Sequence, residues 1–260
     1  MSLETLILAL VVVLGLIAGS AVTALSHRIP RQMSFVRGRS VCPNCGRTLG
    51  VADLVPVLSF VLQRGRCRAC GHAIGWRYPL TELACAAWFV LLYLRVGPSW
   101  DFVLLALWGA LLVALVWIDV DFQLLPDVLT YSGIVIGTIY ALLQPDGWKG
   151  ALLGGVVGSG TLGLVAWGYW RIRGVEGMGI GDIKLAAMMG VVLGWEYTLL
   201  AFFVAAAVGS LWGASLVMSG KGHGKTPLPF GALLAPAAMV ALLWGPAWLA
   251  AYVSLLRGVR

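Results

Sequence analysis

The stretch TLILALVVVLGLIAGSAVTAL, from Thr5 to Leu25, contains no charged residue. A helix rises about 1.5 Å per residue, and about 20 apolar residues cross the roughly 30 Å hydrocarbon core of a bilayer. The stretch has no basic region before it, unlike a cleaved secretory signal. It therefore predicts a first transmembrane helix, and similar apolar runs recur to the end of the chain.

The composition places the whole chain in a membrane. Hydrophobic residues make up 60% of the 260 residues, charged residues only 11%, and the mean hydropathy is +0.92. Soluble domains carry roughly 25% charged residues. We predict an all-α polytopic bundle of about eight transmembrane helices, with spans near residues 5–25, 83–97, 102–119, 127–144, 150–170, 183–195, 197–218 and 230–255.

The sixth predicted span is unusually short. Only 11 uncharged residues separate Lys184 from Glu196, which corresponds to about 17 Å of helix. We expect either a short helix in a protein-lined or thinned region or a re-entrant segment.

The basic residues predict an orientation. Residues 26–78 contain nine arginines and one acid, Asp53. By the positive-inside rule this segment is cytoplasmic and the N-terminus lies outside. Eight spans then place 14 basic residues inside and four outside, the outer four being Arg95, Lys149, Arg257 and Arg260. The net charge of +7 is explained by topology, which argues against nucleic-acid binding.

Four cysteines form two C-x-x-C pairs in this first loop, Cys42 with Cys45 and Cys67 with Cys70. Two such pairs are typical of a structural zinc site with four thiolates. Disulfides and a redox pair are the alternatives, and a cytoplasmic location disfavours disulfides. The fifth cysteine, Cys85, is interpreted as a packing residue.

Four of the eleven acids cluster at one predicted membrane face: Asp119, Asp121 and Asp127 around the end of the third span, and Asp182 in GIGD. Three of them have a simpler explanation: Asp127 would start a helix, Asp121 would be a solvated charge and Asp182 would be an N-cap. Asp119 closes an apolar helix, where an ionisable group usually faces a cavity or a partner.

Two carboxylates from different helices can share one proton and perform aspartic-protease chemistry. The glycines beside Asp182 would let a substrate backbone approach closely. The alternatives are an ion- or proton-coupled transporter, which would also use membrane aspartates, and a zinc-bearing assembly factor without chemistry.

The chain resembles the bacterial type IV prepilin peptidases, membrane aspartic proteases with a G-x-G-D signature. The resemblance covers nearly the whole chain and rests, besides the cysteine pairs, on GS near the end of the first span, HRIP (27–30), DLVPVLSF (53–60), RYPLTE (77–82), DVDFQLLPD (119–127), GIGDIKL (179–185) and PLPFGALLAPA (227–237). Thr23 departs from the pattern, because the family usually has an asparagine there.

The resemblance implies a catalytic pair at Asp119 and Asp182, with Asp121 and Asp127 accessory, and zinc ligands at the four paired cysteines. It implies leader cleavage of type IV prepilins and type II secretion pseudopilins at the cytoplasmic face of the bacterial inner membrane. It also implies N-methylation of the new N-terminus with S-adenosylmethionine. Glu82 is a candidate residue for that second activity, and a helix-start charge is the alternative.

The domain prediction follows from these assignments. Residues 1–25 form the first transmembrane helix, 26–82 the cysteine module, and 83–260 the transmembrane peptidase domain. The oligomeric state is left open.

Overall fold

The chain folds as a set of α-helices. The structure is a computed structural model that describes residues 2–34, 38–175, 177–219 and 229–258. Within these ranges there is no β-strand, only two isolated bridges. The eight helices are α1 (Leu3–Arg28), α2 (Leu58–Leu62), α3 (Arg77–Val96), α4 (Trp100–Phe122), α5 (Asp127–Leu142), α6 (Gly147–Arg173), α7 (Ile180–Met218) and α8 (Gly231–Gly258). The all-α membrane architecture is confirmed.

Six of these helices are long and apolar enough to cross a membrane: α1, α3, α4, α6, α7 and α8. The fourth predicted span is the shorter apolar helix α5, of 16 residues. The sixth and seventh predicted spans are the two parts of α7, a 39-residue stretch in which Gly194 has non-helical dihedrals, φ 72° and ψ 175°. The first part of α7, before Gly194, is helical, and its Leu185, Ala186, Met188 and Met189 are fully buried in protein.

Some predictions fall outside the described residues. These are the basic residues Arg37, Lys221, Lys225 and Arg260, and the first two residues of PLPFGALLAPA, Pro227 and Leu228.

The contacts divide the chain into two compact units, Met1–Ala114 and Leu115–Arg260, and the division falls within α4. In the first unit, α1 and α3 pack closely because α1 presents glycines to α3. A Cβ on Gly15 would lie 2.6 Å from Ala86 Cα, and one on Gly19 would overlap the backbone of Glu82. Trp88 then ties α3 to α4, since its buried Nε1 donates a hydrogen bond to Leu105 O at 3.1 Å.

In the second unit, α7 is the central helix. Gly154 of α6 and Gly190 of α7 meet backbone to backbone, and a Cβ on either would overlap the carbonyl of the other. Gly133 of α5 accommodates the side chain of Met188, which lies two residues before Gly190 in α7. This close packing fixes the N-terminal part of α7, which begins with the GIGD stretch.

Candidate functional site

The four paired cysteines converge on one point in the first unit. Their Sγ atoms all lie within 4.8 Å of one another, and Cys42 Sγ is 3.8 Å from Cys70 Sγ. A tetrahedral site with Zn–S bonds of about 2.3 Å has S···S edges of about 3.8 Å. All five cysteines are free thiols, so the disulfide alternative does not describe this structure. The donor set and its dimensions fit a structural zinc ion.

Two identical backbone loops build this cluster. Cys42 N donates to Arg47 O and Gly46 N donates to Cys42 O, each at 2.9 Å. The same bonds recur at the same distances in the second loop, between Cys67 and His72 and between Gly71 and Cys67. Gly46 and Gly71 have φ of 69° and 68°, left-handed values that explain the glycine after each C-x-x-C pair.

Asp53 joins the two loops. Its buried carboxylate lies 3.7 Å from Arg47 Nη2 in the first loop and 3.2 Å from Arg68 Nε in the second. It also accepts a hydrogen bond from Gly50 N at 3.1 Å. At the cluster itself, the backbone N–H of His72 lowers the pKa of the Cys70 thiol to about 6, which favours the thiolate that a metal binds.

In the second unit, Asp119 lies in the last turn of α4 and is only 5% exposed. Its Oδ2 accepts a hydrogen bond from the backbone N–H of Ala232, at 2.8 Å. Ala232 belongs to the first turn of α8, where N–H groups lack helical partners and carry partial positive charge. The start of α8 therefore holds the Asp119 carboxylate in place.

Asp182 lies in the first turn of α7, but the N-cap of that helix is Gly179. The N-cap explanation of Asp182 is therefore wrong, because two residues of helix precede it. The Asp182 carboxylate instead folds back toward Gly179, with Oδ2 3.7 Å from the position a Cβ would take there. Acidic groups in the first turn are favoured by the helix dipole, so the position is stable without a cap.

Leu125 connects the two aspartates structurally. It is buried in the link between α4 and α5, where a Cβ on Gly181 would lie 2.9 Å from its own Cβ. Its Cδ1 lies 3.0 Å from the position of a Cβ on Gly231, and Asp119 Oδ2 lies 3.1 Å from that same position. The carboxylates of Asp119 and Asp182 are close enough to interact electrostatically. The structure thus brings together the two carboxylates that the sequence singled out.

The other two acids of the cluster differ from this pair. Asp121 is exposed. Asp127 is the first residue of α5, after Pro126, and its Oδ1 is 2.7 Å from Lys184 Nζ. This ion pair ties the start of α5 to the start of α7, two residues after Asp182.

Glu82 occupies a different environment from the one expected of a helix-start charge. It lies in the second turn of α3, which has no acid in its first turn, and it is 8% exposed. Its Oε2 accepts a hydrogen bond from Val57 N at 2.6 Å, and Val57 has φ 58°, a strained value for a β-branched residue. The helix-start alternative is wrong.

Glu82 lines a cavity of about 600 Å³ in the first unit, between α1, α3 and the cysteine module. Thr23 of α1 lies on the same cavity, with its Oγ1 donating to Gly19 O at 2.9 Å. Small-molecule sites typically measure roughly 300–1,000 Å³. The cavity is therefore large enough for a cofactor-sized molecule.

Sequence reasoning missed three positioning residues. Ala232 acts through its backbone, which no side-chain pattern signals, although the glycine before the last apolar run marks a helix start. In the sequence, Leu125 is one apolar residue among many, and Lys184 is only one of the basic residues that predict the orientation in the membrane. Their contacts depend on which helices are neighbours.

Comparisons with known proteins agree with this architecture. The model of the bacterial peptidase A24 N-terminal domain matches residues 13–96, and that of the type IV leader peptidase family matches residues 104–214. Three curated relatives share the name prepilin leader peptidase/N-methyltransferase. The protein of Bacillus subtilis (strain 168) is 34% identical, over 96% of this chain and 100% of its own length. The Stutzerimonas stutzeri protein is 36% identical, over 94% and 93%, and the Pseudomonas aeruginosa protein 35%, over 90% and 89%.

No solved structure matches the chain significantly. The two family models lie in order along the chain, and the relatives align with it from end to end. The chain therefore belongs to the type IV leader peptidase family.

Proposed function

We propose that this protein removes the leader from type IV prepilins and type II secretion pseudopilins at the cytoplasmic face of the bacterial inner membrane, and methylates the new N-terminus. The observation that carries the peptidase is the convergence of Asp119 and Asp182 from α4 and α7, each beside a helix N-terminus. The names of the full-length relatives support both activities.

Asp119 and Asp182 are the catalytic pair of this proposal. In aspartic-protease chemistry, two neighbouring carboxylates hold one proton between them. The ionised carboxylate takes a proton from water as the water oxygen attacks the scissile carbonyl carbon. The protonated carboxyl polarises the carbonyl oxygen, and a proton then passes to the leaving amine as the C–N bond breaks. The backbone N–H groups of Ala232 and Gly231, at the start of α8, hold the Asp119 carboxylate in position for this work.

The position of the pair fits a substrate anchored in the membrane. Both aspartates lie within one turn of a helix end. A transporter usually places such groups near the bilayer midplane. The basic-residue pattern puts this end in the cytoplasm and the N-terminus of the protein outside. A prepilin presents its leader on that side, next to its own hydrophobic helix.

For the second activity we propose the cavity of the first unit as the site of the methyl donor, S-adenosylmethionine, which supplies an electrophilic methyl group when bound. Glu82 lies in its wall with one carboxylate oxygen held by Val57 N–H. The Ser20 hydroxyl also hydrogen-bonds this carboxylate. The carboxylate can accept the proton that the pilin ammonium group must lose before it becomes nucleophilic. Zinc bound by the four thiolates would hold the neighbouring wall in shape.

Purified full-length protein in detergent, incubated with a prepilin, tests the peptidase. We expect Asp119→Asn and Asp182→Asn each to abolish cleavage, and Asp121→Asn, two residues away on the same helix, to retain it. Thermal unfolding of each variant verifies that it is folded. Normal cleavage by a folded Asp119→Asn or Asp182→Asn variant would refute the catalytic pair.

A pilin that already lacks its leader, supplied with a labelled methyl donor, tests the second activity separately. We expect Asp182→Asn to methylate this substrate normally. Glu82→Gln should cleave prepilin but transfer little label. If Glu82→Gln methylates as well as the parent protein, the cavity is not the methylation site.

A further inference from the structure

The cysteine module carries an apolar surface that the proposed chemistry does not use. Leu58, Val61 and Leu62 of the short helix α2 are 54%, 62% and 68% exposed, and Trp76, just before α3, is 71% exposed. Trp76 adjoins the helix through Phe60, with ring centroids 5.1 Å apart. We call Leu58, Val61, Leu62 and Trp76 the α2 ridge. In water, four large exposed apolar side chains on so small a module would be unfavourable.

The α2 ridge continues into the lipid-facing side of a membrane helix. From Trp76 onward, exposed residues recur along α3 at helical spacing: Leu80, Leu83, Ala87, Leu91 and Leu94. α3 is one of the helices that can span a membrane, so this stripe faces hydrocarbon. Trp76 lies at its first position, where tryptophan is enriched in membrane proteins because the indole ring suits the interface.

Two arginines border the ridge. Arg64 and Arg66 line, with Trp76 and Pro79, an open groove of about 730 Å³ between α2 and the start of α3. Both are exposed, and neither forms an ion pair in the part of the chain that the structure describes. Arginine beside an apolar, tryptophan-containing surface matches the phosphates of anionic lipids above their acyl chains.

We infer that the α2 ridge lies in the headgroup region of the bilayer, with Arg64 and Arg66 on the phosphates of anionic phospholipids. The occupant of this surface is thus the membrane itself, and the cysteine module is held against the bilayer rather than projecting from it. The inference rests on the first unit alone and does not depend on which peptide is cut.

Fluorescence quenching by brominated lipids tests this with the full-length protein in nanodiscs. The difference between the emission of the parent protein and that of Trp76→Phe isolates Trp76, and phenylalanine keeps the contact with Phe60. We expect lipids brominated near the headgroup to quench Trp76 more than lipids brominated near the chain end. Quenching by aqueous acrylamide but not by lipid would overturn the proposal. Shielding from both would also overturn it, because protein would then cover the ridge.

The role of the arginines is tested with the same signal in zwitterionic and partly anionic nanodiscs. Each arginine near an anionic surface increases the equilibrium constant for membrane docking about fivefold. We therefore expect the ratio of docked to undocked module to be about twenty-fivefold higher in partly anionic than in zwitterionic nanodiscs. The double variant Arg64→Gln/Arg66→Gln should lose this rise. The matched variant Arg171→Gln/Arg173→Gln, at the end of α6, should keep it. Equal responses of the two variants would refute specific phosphate contacts.

Discussion

Replacing Gly181 by alanine adds one methyl group at the point where α7 begins against the α4–α5 link. The new Cβ would lie 2.9 Å from Leu125 Cβ and 3.5 Å from both Cγ and Cδ1. Carbon atoms in contact normally lie about 3.5–4.0 Å apart. The Leu125 Cβ belongs to a buried side chain and is fixed to its backbone, so rotation of the side chain cannot relieve this contact. We therefore expect the start of α7 or the link to move by about 0.5–1 Å.

The expected magnitude follows from two opposing effects on stability. Overpacking typically costs about 1–3 kcal/mol, and alanine in place of glycine in a helix returns up to about 1 kcal/mol. The net loss of folding free energy is thus about 0–2 kcal/mol. The displaced residue next to Gly181 is Asp182, however, and a misplacement of about 1 Å at a reacting group can cost 100-fold in rate. We expect kcat/KM for prepilin cleavage to fall about 10- to 100-fold with little change in Tm.

Gly179, two residues earlier, supplies the matched control. A Cβ there would lie 3.7 Å from Asp182 Oδ2, an ordinary contact, and the backbone has φ −75°. Alanine is a poorer N-cap than glycine by about 1 kcal/mol, but it meets no steric overlap at this position, so Gly179→Ala should lose less cleavage activity than Gly181→Ala. The assay is the time course of leader removal in detergent, with thermal unfolding of each variant. Parent-like activity of Gly181→Ala, or equal losses in both variants, would refute the steric argument.

The remaining predictions concern other parts of the chain. Gly190→Val should lower the Tm measured in detergent, because overpacking against Gly154 costs about 1–3 kcal/mol, and an unchanged Tm would contradict the close crossing of α6 and α7. Lys184→Met and Asp127→Asn should each lower kcat/KM up to about fivefold, because each breaks the ion pair between the starts of α5 and α7. The double variant should lose no more activity than either single variant, and additive losses would show that the two residues do not act as a pair. Asp53→Asn should release zinc to a chelator faster, because the amide cannot hold two arginines, and an unaltered release rate would count against this role. Zinc removal from the parent protein should increase hydrogen exchange in the cysteine module and leave that of the long helices unchanged; uniform exchange in both regions would exclude a local structural metal.

The helices and the metal cluster could be predicted from the sequence because their determinants are local. An apolar run such as that from Thr5 to Leu25 suits only a buried or lipid-facing helix. Two C-x-x-C pairs, each followed by glycine, define their own turn geometry, and the structure brings all four thiols together. Charge topology predicts only that Asp119 and Asp182 lie at the same membrane face as Asp121 and Asp127, and the pairing of the two comes from the family resemblance.

Features that depend on neighbouring helices could not be predicted in the same way. Gly194 interrupts α7 without ending it, which a hydropathy pattern cannot distinguish from a loop between two spans. Glu82 resembled a helix-start charge because nothing local shows that α3 begins at Arg77, with Glu82 in its second turn. The hydrogen bond from Ala232 N to Asp119 joins residues 113 positions apart. Its donor is a backbone group, which no side-chain pattern in the sequence can indicate.

The repetition of the cysteine loops has a consequence for how the module matures. Each loop closes through bonds within ten residues, so both halves can form before any ion arrives. The metal then has only to join two finished halves whose equivalent residues, such as Cys42 and Cys67, are 25 positions apart. Closing a flexible loop of that length costs about 3 kcal/mol of chain entropy. Metal binding therefore fixes the relative position of two halves whose turn geometry is set locally.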